Sequence, residues 1–220
     1  MPELLIVLVI LISFLLLWTI AALCYISGIF RSVDLSISSE IPYLKDGAEL
    51  YYKANFGSYG SLGGLFTEAY SIAPGVIQCG IYYDDSGRVA AKDCRSAVGV
   101  ILTDGPADVV ERFEKHGFKK FLLPPIKEAL YESFPHVSFL SIFIGIWKVL
   151  PLLRKMFKEF ECSGFTYIEV YDDSKIHYIG ILDNNVSFLV PDFADTNKGG
   201  AVPVLTSELE QGLDGNQKTE

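Results

Sequence analysis

Glu169 is the acidic residue whose neighbours point to chemistry, since tyrosines stand two positions before it and two positions after it. Side chains two positions apart in a strand share a face, so Tyr167, Glu169 and Tyr171 would point the same way. If that face lines a cleft, Glu169 would be an acid between aromatic walls, suited to a cationic or aromatic ligand. An exposed strand face explains the same pattern, because surface strands commonly carry a glutamate between tyrosines.

The other motifs that could carry chemistry are incomplete. The glycine-rich stretch 57–64 has neither a Gly-Lys-Ser/Thr ending nor Gly-x-Gly spacing, so it is interpreted as a helix entry and not as a phosphate cradle. His116, His136 and His177 fall in different elements, and none has a second His or Cys at ligand spacing, which predicts no metal site. No Gly-x-Ser-x-Gly elbow is present, and no base stands beside a cysteine. We therefore expect no enzyme activity and no cofactor.

The acidic balance of the chain argues against nucleic acid as a partner. The 220 residues include 18 lysines and arginines against 27 aspartates and glutamates, a formal net charge of −9. Most of such a surface would repel the negatively charged phosphate backbone of a nucleic acid. The mean hydropathy of +0.32 is high for a chain that is 20% charged, which indicates that the apolar residues are concentrated in one segment.

That segment is at the N-terminus, where residues 1–31 are predicted to be a membrane anchor. From Leu4 to Phe30 there is no charged side chain, and as a helix this stretch would be about 40 Å long, more than the ~30 Å hydrocarbon layer. A cleaved signal peptide is the less favoured interpretation, because no basic residue precedes the apolar run. The later apolar stretch 139–160 is interrupted by Lys148 and Pro151 and is predicted to be a helix inside the domain.

The rest of the chain predicts a unit of secondary structure that occurs twice. Each copy has a strand, a helix and two further strands, at 49–56, 65–72, 76–83 and 94–102 in the first and at 128–134, 139–160, 165–171 and 175–182 in the second. The turn Tyr83-Asp84-Asp85-Ser86 returns as Tyr171-Asp172-Asp173-Ser174. A helix at 106–116 and a strand at 117–123 join the copies. The prediction is an α+β fold with an antiparallel sheet and two main helices.

Changes in composition set the predicted boundaries. Residues 32–48 are a connector, and 49–191 form the folded domain, with repeats at about 49–102 and 128–182. From 192 to 220 no apolar period survives, which predicts a disordered acidic tail.

The topology depends on few signals. Arg31 and Lys45 follow the apolar span and no basic residue precedes it, which places the bulk of the chain in the cytosol. Four cysteines are also few for an oxidising compartment. In a lumenal domain, Cys79 and Cys94 could form a bridge across a hairpin, and the sequon at Asn185 would be a glycosylation site. With a cytosolic domain we expect free thiols and an unmodified Asn185.

The repeated unit and its Tyr-Asp-Asp turns resemble the gyrase-inhibitor-like domain, a family that includes bacterial effector-binding domains. A more specific resemblance, to the testis-expressed protein 264 family, covers nearly everything from Leu4 to Pro191. It rests on the apolar anchor and on sequence blocks in the same order and at similar spacing, which are Gly57-Ser58-Tyr59-Gly60, Leu65-Phe66-Thr67-Glu68, Ile81-Tyr82-Tyr83-Asp84, Cys94-Arg95-Ser96-Ala97-Val98-Gly99, Leu140-Ser141-Ile142, Ile176-His177 and Val190-Pro191.

The resemblance implies a single-pass protein of the endoplasmic reticulum membrane that acts as a receptor for selective autophagy of that organelle. Such receptors bind autophagosomal ubiquitin-like proteins through a tail motif, an aromatic residue followed three positions later by an aliphatic one, which adds a strand to the partner's sheet. Here the tail after Phe193 contains no aromatic residue. The segments 147–150 and 167–170 fit the spacing, but the first is predicted to be helical and the second to lie within a sheet.

The gyrase-inhibitor-like resemblance also implies an alternative function. Members of that family place a ligand cleft between the two repeats, and some relatives use an acid there. On this hypothesis Glu169, Tyr83 and Tyr167 would contact a small ligand, with Glu169 as the acid or base of a hydrolytic reaction. A third hypothesis, a cell-surface ectodomain, predicts a glycan on Asn185.

Overall fold

The computed structural model describes residues 2–182 and 185–194, and of Asn185 only the backbone. The chain divides into two compact units, Met1–Val190 and Pro191–Glu220. Four residues of the second unit are described, with a 3₁₀ turn at Pro191–Phe193. The predicted tail, 192–220, therefore lies almost entirely outside the described residues.

Four α-helices and eight strands are described in the first unit. In chain order they are α1 (Pro2–Ile26), β1 (Ser36–Ser38), β2 (Ala48–Phe56), α2 (Gly63–Ile72), β3 (Ile77–Tyr82), β4 (Arg95–Ile101), α3 (Ala107–Lys115), β5 (Lys119–Leu123), β6 (Ala129–Pro135), α4 (Phe139–Glu159), β7 (Tyr167–Tyr171) and β8 (Lys175–Gly180). All of them except the short β1 were predicted from the sequence within a few residues.

The order of the strands confirms the predicted duplication. The eight strands form one sheet in the order β1-β6-β8-β7-β3-β4-β2-β5, and every neighbouring pair is antiparallel. The first repeat contributes β2, α2, β3 and β4, and the second contributes β6, α4, β7 and β8. In each repeat the third strand lies between the other two, and the repeats join where β3 pairs with β7.

The two main helices cover one face of this sheet. Buried residues of α4, such as Ile144 and Leu153, pack in one hydrophobic cluster with Tyr178 of β8 and Val98 of β4. Phe66 of α2 packs against the same cluster. The seam between the repeats therefore lies beneath both helices.

Residues of the predicted connector, 32–48, take part in the fold. Strand β1 pairs with β6 at the edge of the sheet, and Leu44 and Ile41 are 0% and 2% exposed. Leu44 also accepts a backbone hydrogen bond from Ile126 at 3.1 Å. This segment is thus attached to the second repeat, although its sequence has no strand or helix period long enough to predict it.

Helix α1 is different from the rest of the molecule. Its 25 residues have a mean hydropathy of 3.1 over the most apolar window, and none of that window is buried. By length and composition it can cross a membrane. It ends near Gly28, whose φ of +92° is a conformation that favours glycine. A Cβ there would lie 2.7 Å from the ring of Phe134, so the end of α1 fits closely against β6.

Candidate functional site

Glu169 lies at the centre of the sheet, where the two repeats meet. It stands in the middle of β7, opposite Gly80 of β3 on one side and Tyr178 of β8 on the other. Its side chain points to the face that carries the helices, and the residue is 1% exposed. The exposed strand face considered from the sequence is therefore not what the chain forms.

Two tyrosines hold the buried carboxyl group. The hydroxyl of Tyr82 donates to Oε2 of Glu169 at 2.9 Å, and the hydroxyl of Tyr171 donates to the same oxygen. Tyr82 comes from the first repeat and Tyr171 from the second. Since an unpaired buried charge is very unfavourable, these two bonds tie the repeats together around one polar group.

The walls of the site are aromatic. The ring of Tyr167 stacks on that of Tyr82, with centroids 4.6 Å apart and an angle of 8°. Phe66 of α2 meets the edge of Tyr171 at 5.3 Å. These contacts explain the glycine at position 80, since a Cβ there would lie 3.1 Å from the Phe66 ring and from the Tyr82 ring.

Tyr178 completes the cluster from the second repeat. Its hydroxyl is buried and has no hydrogen-bond partner among the residues that the structure describes. It abuts Gly145 of α4, where a side chain would collide with it. The helix can approach the sheet at this point because residue 145 has no Cβ.

The surroundings change the acidity of the groups in this cluster. Burial raises the pKa of Glu169 from 4.5 to about 7, although hydrogen bonds from Tyr171 and Tyr82 lower it. Burial, together with the nearby Glu169, raises the pKa of Tyr82 and of Tyr171 well above 10. The carboxyl group therefore exchanges its proton near neutral pH, while the tyrosines remain hydrogen-bond donors.

Of the three residues singled out from the sequence, two are brought together and one is not. Tyr167 and Glu169 belong to the same cluster. Tyr83 follows the end of β3 and points to the opposite face of the sheet, where its hydroxyl donates to the carbonyl of Phe188 at 3.0 Å. Its neighbour Tyr82 takes the place next to Glu169. Which of the two tyrosines faces Glu169 depends on which residues of β3 point to the helix-bearing face of the sheet. Two adjacent tyrosines in the sequence fit either possibility.

The cluster as it stands is closed to ligands. Tyr82, Tyr167, Tyr171 and Tyr178 are each less than 10% exposed. Two surface cavities, of about 380 Å³ and about 530 Å³, are lined by other residues and do not include Glu169. Chemically, the arrangement can hold or release one proton inside the core. Substrate would reach it only after the aromatic side chains move.

A second polar cluster lies at the hairpin between β7 and β8. Nε2 of His177 is 2.9 Å from Oδ2 of Asp172, and Nδ1 of His177 is 2.8 Å from the hydroxyl of Tyr131. The hydroxyl of Tyr43 donates to Oδ2 of Asp172 at 3.2 Å. The backbone N–H of Lys175 donates to Oδ1 at 2.6 Å. Asp172 therefore joins the hairpin to the connector, and His177 extends the cluster to Tyr131 of β6.

These bonds set the acidity of Asp172. Burial alone would raise its pKa, but the hydrogen bonds from His177 and from Ser174 and Lys175 outweigh it, so the pKa of Asp172 lies below the ordinary 3.8. Sequence reasoning did not place His177 at a site. The signal that could have found it is the recurrence of the Tyr-Asp-Asp-Ser turn, because Asp84, which corresponds to Asp172, binds Arg95 at 2.8 Å in the first repeat.

Among the described residues there is no group of three or more histidines, cysteines, aspartates or glutamates that could hold a metal ion.

The four cysteines are free thiols. Cys79 pairs with Gly99 in the register of β3 and β4, and Cys94 lies five positions before Gly99. At the rise of a strand this separates the two cysteines by roughly 17 Å along the sheet, too far for a disulfide. A bridge would require Cys79 and Cys94 to lie opposite each other in the hairpin. The observed pairing of Tyr82 with Ser96 leaves a longer loop and places Cys79 opposite Gly99 instead.

Comparison with known proteins places the chain among relatives. No family model matches it. Human testis-expressed protein 264 is 32% identical over 188 residues, which cover 84% of this chain. The mouse testis-expressed protein 264 homolog is 33% identical over 176 residues, or 78% of the chain.

The chain is homologous to testis-expressed protein 264. The matched regions span 59% of the human protein and 56% of the mouse protein. The homology to testis-expressed protein 264 was predicted from sequence blocks that lie in both repeats, including the segments that carry Tyr82 and His177.

Proposed function

We propose that the protein is a membrane-anchored adaptor. Helix α1 would hold it in the membrane of the endoplasmic reticulum, and the two-repeat domain would be presented to the cytosol as a receptor in selective autophagy. The observation that carries the proposal is α1 itself, a 25-residue apolar helix with no buried part, attached to a closed domain. The receptor role rests on the family resemblance.

The number of cysteines and the charges beside the span support a cytosolic domain. The chain has four cysteines, and all of them are free. Domains that fold in oxidising compartments commonly carry more cysteines and pair them in disulfides. The basic residues Arg31 and Lys45 after the span favour the same side.

The closed core supports a role without catalysis. Glu169, the residue best suited to acid or base chemistry, is enclosed by tyrosines from both repeats. A binding partner would therefore meet the surface of the domain and not its centre. The two internal segments with the spacing of an autophagy motif are unsuitable, because 147–150 is within α4 and 167–170 is within β7, between β3 and β8.

The topology can be tested with the chain's own sequon. The side chain of Asn185 lies outside the described residues. In the proposed topology, microsomes that synthesise the full chain leave Asn185 without a glycan and leave the domain sensitive to added protease. An N-terminal extension with a second sequon is the control, and it should be glycosylated. A glycan on Asn185 would favour the ectodomain.

The receptor role can be tested by binding. The full chain in detergent micelles should retain autophagosomal ubiquitin-like proteins at tens of micromolar. A peptide with the aromatic and aliphatic tail motif should not displace them, since this chain's tail lacks the aromatic residue. Ubiquitin is the control for nonspecific retention. Absence of binding would remove the receptor role and leave the membrane anchor standing.

A small-ligand function is the second candidate, and two observations favour it. The pKa of Glu169 is raised by burial to about 7, and the Tyr178 hydroxyl has no partner among the described residues. Both are typical of binding sites. A cationic dye that binds the wild type and not Glu169→Gln would support this function. Equal binding to both proteins would exclude it.

A further inference from the structure

Helix α4 carries a stripe of exposed aromatic side chains on the side away from the core. Phe139, Phe143 and Trp147 are 74%, 54% and 67% exposed. They are four positions apart, which places them next to one another along the helix. Large apolar side chains in such a row are unusual on a monomer and indicate a surface that is covered in the working protein.

The stripe changes character along the helix. After Trp147 its next positions are Pro151 and then Lys155, which forms an ion pair with Glu159 at 3.6 Å. The N-terminal half of the exposed face is therefore aromatic and the C-terminal half is charged. This change of character is expected of a helix whose N-terminal half lies in an apolar layer and whose C-terminal half lies in water.

The aromatic half of α4 is attached to the point where α1 ends. The hydroxyls of Ser27 and Ser138 are 2.8 Å apart, just before the stripe begins. At the other end of the stripe, the ammonium group of Lys148 donates to the carbonyl of Arg31 at 2.7 Å and to that of Ile29. The stripe is thus bracketed by two contacts to the segment that leaves α1.

We propose that the stripe Phe139, Phe143 and Trp147 is a second membrane contact, which inserts into the interface of the bilayer that α1 spans. The inference rests on the proposed membrane anchor. Tryptophan and other aromatic rings favour the boundary between headgroups and acyl chains, because they combine an apolar body with a polar or polarisable edge. Phe30, in the segment that leaves α1, is another exposed aromatic residue, with 78% of its surface accessible. Its neighbours Ile29 and Arg31 are the residues that Lys148 binds.

A bilayer fits this surface better than a protein partner. The contacts of Ser138 and Lys148 keep the stripe beside the end of α1, where the membrane surface lies if α1 spans it. Lys148, the one cation in this half of the helix, has its ammonium group turned to the carbonyls of Ile29 and Arg31 by two hydrogen bonds. A single span can tilt in the bilayer, whereas a second contact would hold the span and the attached domain at a fixed angle to the membrane.

The chain's two tryptophans make the proposal testable in the intact protein, since they are Trp18 in α1 and Trp147 in the stripe. Trp18→Phe leaves Trp147 as the reporter, and Trp147→Phe leaves Trp18. Each variant is reconstituted in dioleoylphosphatidylcholine vesicles that contain phosphatidylcholine brominated near the top or near the end of the acyl chain. Trp18 is about 6 Å from the middle of α1, so bromines deep in the bilayer should quench it more strongly.

The proposal expects the opposite order for Trp147, with stronger quenching by shallow bromines and a loss of quenching by aqueous acrylamide. A control tryptophan at the exposed Tyr70 of α2, in a background without the other two, should be quenched by acrylamide alone. If Trp18 is quenched by lipid and Trp147 is not, the stripe is no membrane contact although the anchor stands. Shielding of Trp147 from acrylamide without lipid quenching would indicate a protein partner and overturn the proposal. Failure of lipid to quench Trp18 would overturn the anchor.

Discussion

Glu169 of the second repeat stands directly opposite Gly80 of the first, in the strand pair that joins the repeats. The missing side chain at Gly80 leaves room for the rings of Tyr82 and Phe66. Tyr82 can therefore reach across the seam and donate to the carboxyl group at 2.9 Å. The polar centre of the core is built jointly by the two copies, and neither copy could satisfy Glu169 as fully alone.

Glu169 should make the stability of the domain depend on pH. Its pKa is 4.5 as an ordinary glutamate and about 7 in the fold, where burial disfavours the charge. Between these values the native state holds a proton that the unfolded state has released, so stability falls as pH rises. We expect a loss of about 3 kcal/mol across this window. Denaturant unfolding of the full chain in micelles, on either side of the window, measures it.

Glu169→Gln should remove this dependence, because the amide oxygen can still accept from both tyrosines and carries no charge. The matched control is Glu161→Gln, at an exposed position, which should keep the wild-type slope. An unchanged slope in Glu169→Gln would show that the carboxyl group is solvated in the native state.

Gly145→Ala should destabilise the domain by about 1–3 kcal/mol through overpacking. On an open helix the same change would stabilise by about 1 kcal/mol. Here the added methyl group would collide with the Tyr178 hydroxyl. Thermal unfolding followed by circular dichroism measures the effect.

Tyr178→Phe tests the same contact from the other side. It removes a buried hydroxyl that has no partner among the described residues, so the single change should be neutral or stabilising. Combined with Gly145→Ala, it should recover part of the lost stability. Strictly additive effects would mean that the two residues do not touch.

Asp172→Asn should cost about 2 kcal/mol, since Asp172 accepts charge-assisted hydrogen bonds from His177 and from the backbone of Lys175. The pKa of Asp172 lies below 3.8 because these bonds outweigh burial. Its contribution is therefore present above that value and lost as the pH falls below it. Asp173→Asn, at the exposed neighbour, is the control. A wild-type advantage that persists in acid would contradict this role.

Cys79 and Cys94 should remain unbridged even under oxidation. They are displaced by five positions in the register of β3 and β4, which is roughly 17 Å. Burial also raises the pKa of the Cys79 thiol, so little reactive thiolate forms. Non-reducing electrophoresis after copper-catalysed oxidation tests this. Ser36→Cys with Tyr131→Cys, which are directly paired at the sheet edge, is the positive control for bridge formation.

Much of the fold could be predicted from the sequence because its signals are local. Alternation, turn residues and the return of Tyr-Asp-Asp-Ser placed seven of the eight strands and all four helices within a few residues. The exception is β1, whose three residues form a strand through their pairing with β6. A segment this short carries no period of its own.

The candidate site was predictable in part. The alternation in β7 correctly grouped Tyr167, Glu169 and Tyr171, since one strand determines it. The prediction of Tyr83 as the partner from the first repeat was wrong. Tyr82 lies on the same face of β3 as Gly80, opposite Glu169, whereas the hydroxyl of Tyr83 donates to Phe188 on the other face.

The sequence by itself determined the apolar length of α1, the duplicated order of strands and helices, and the type of residue around Glu169. These follow from composition and from spacing along the chain. Only the tertiary structure decided that the acid is closed off, that Cys79 and Cys94 are apart, and that the aromatic stripe of α4 lies beside the end of α1. Each of these depends on distances between segments far apart in the chain, and such distances are set by packing and strand register.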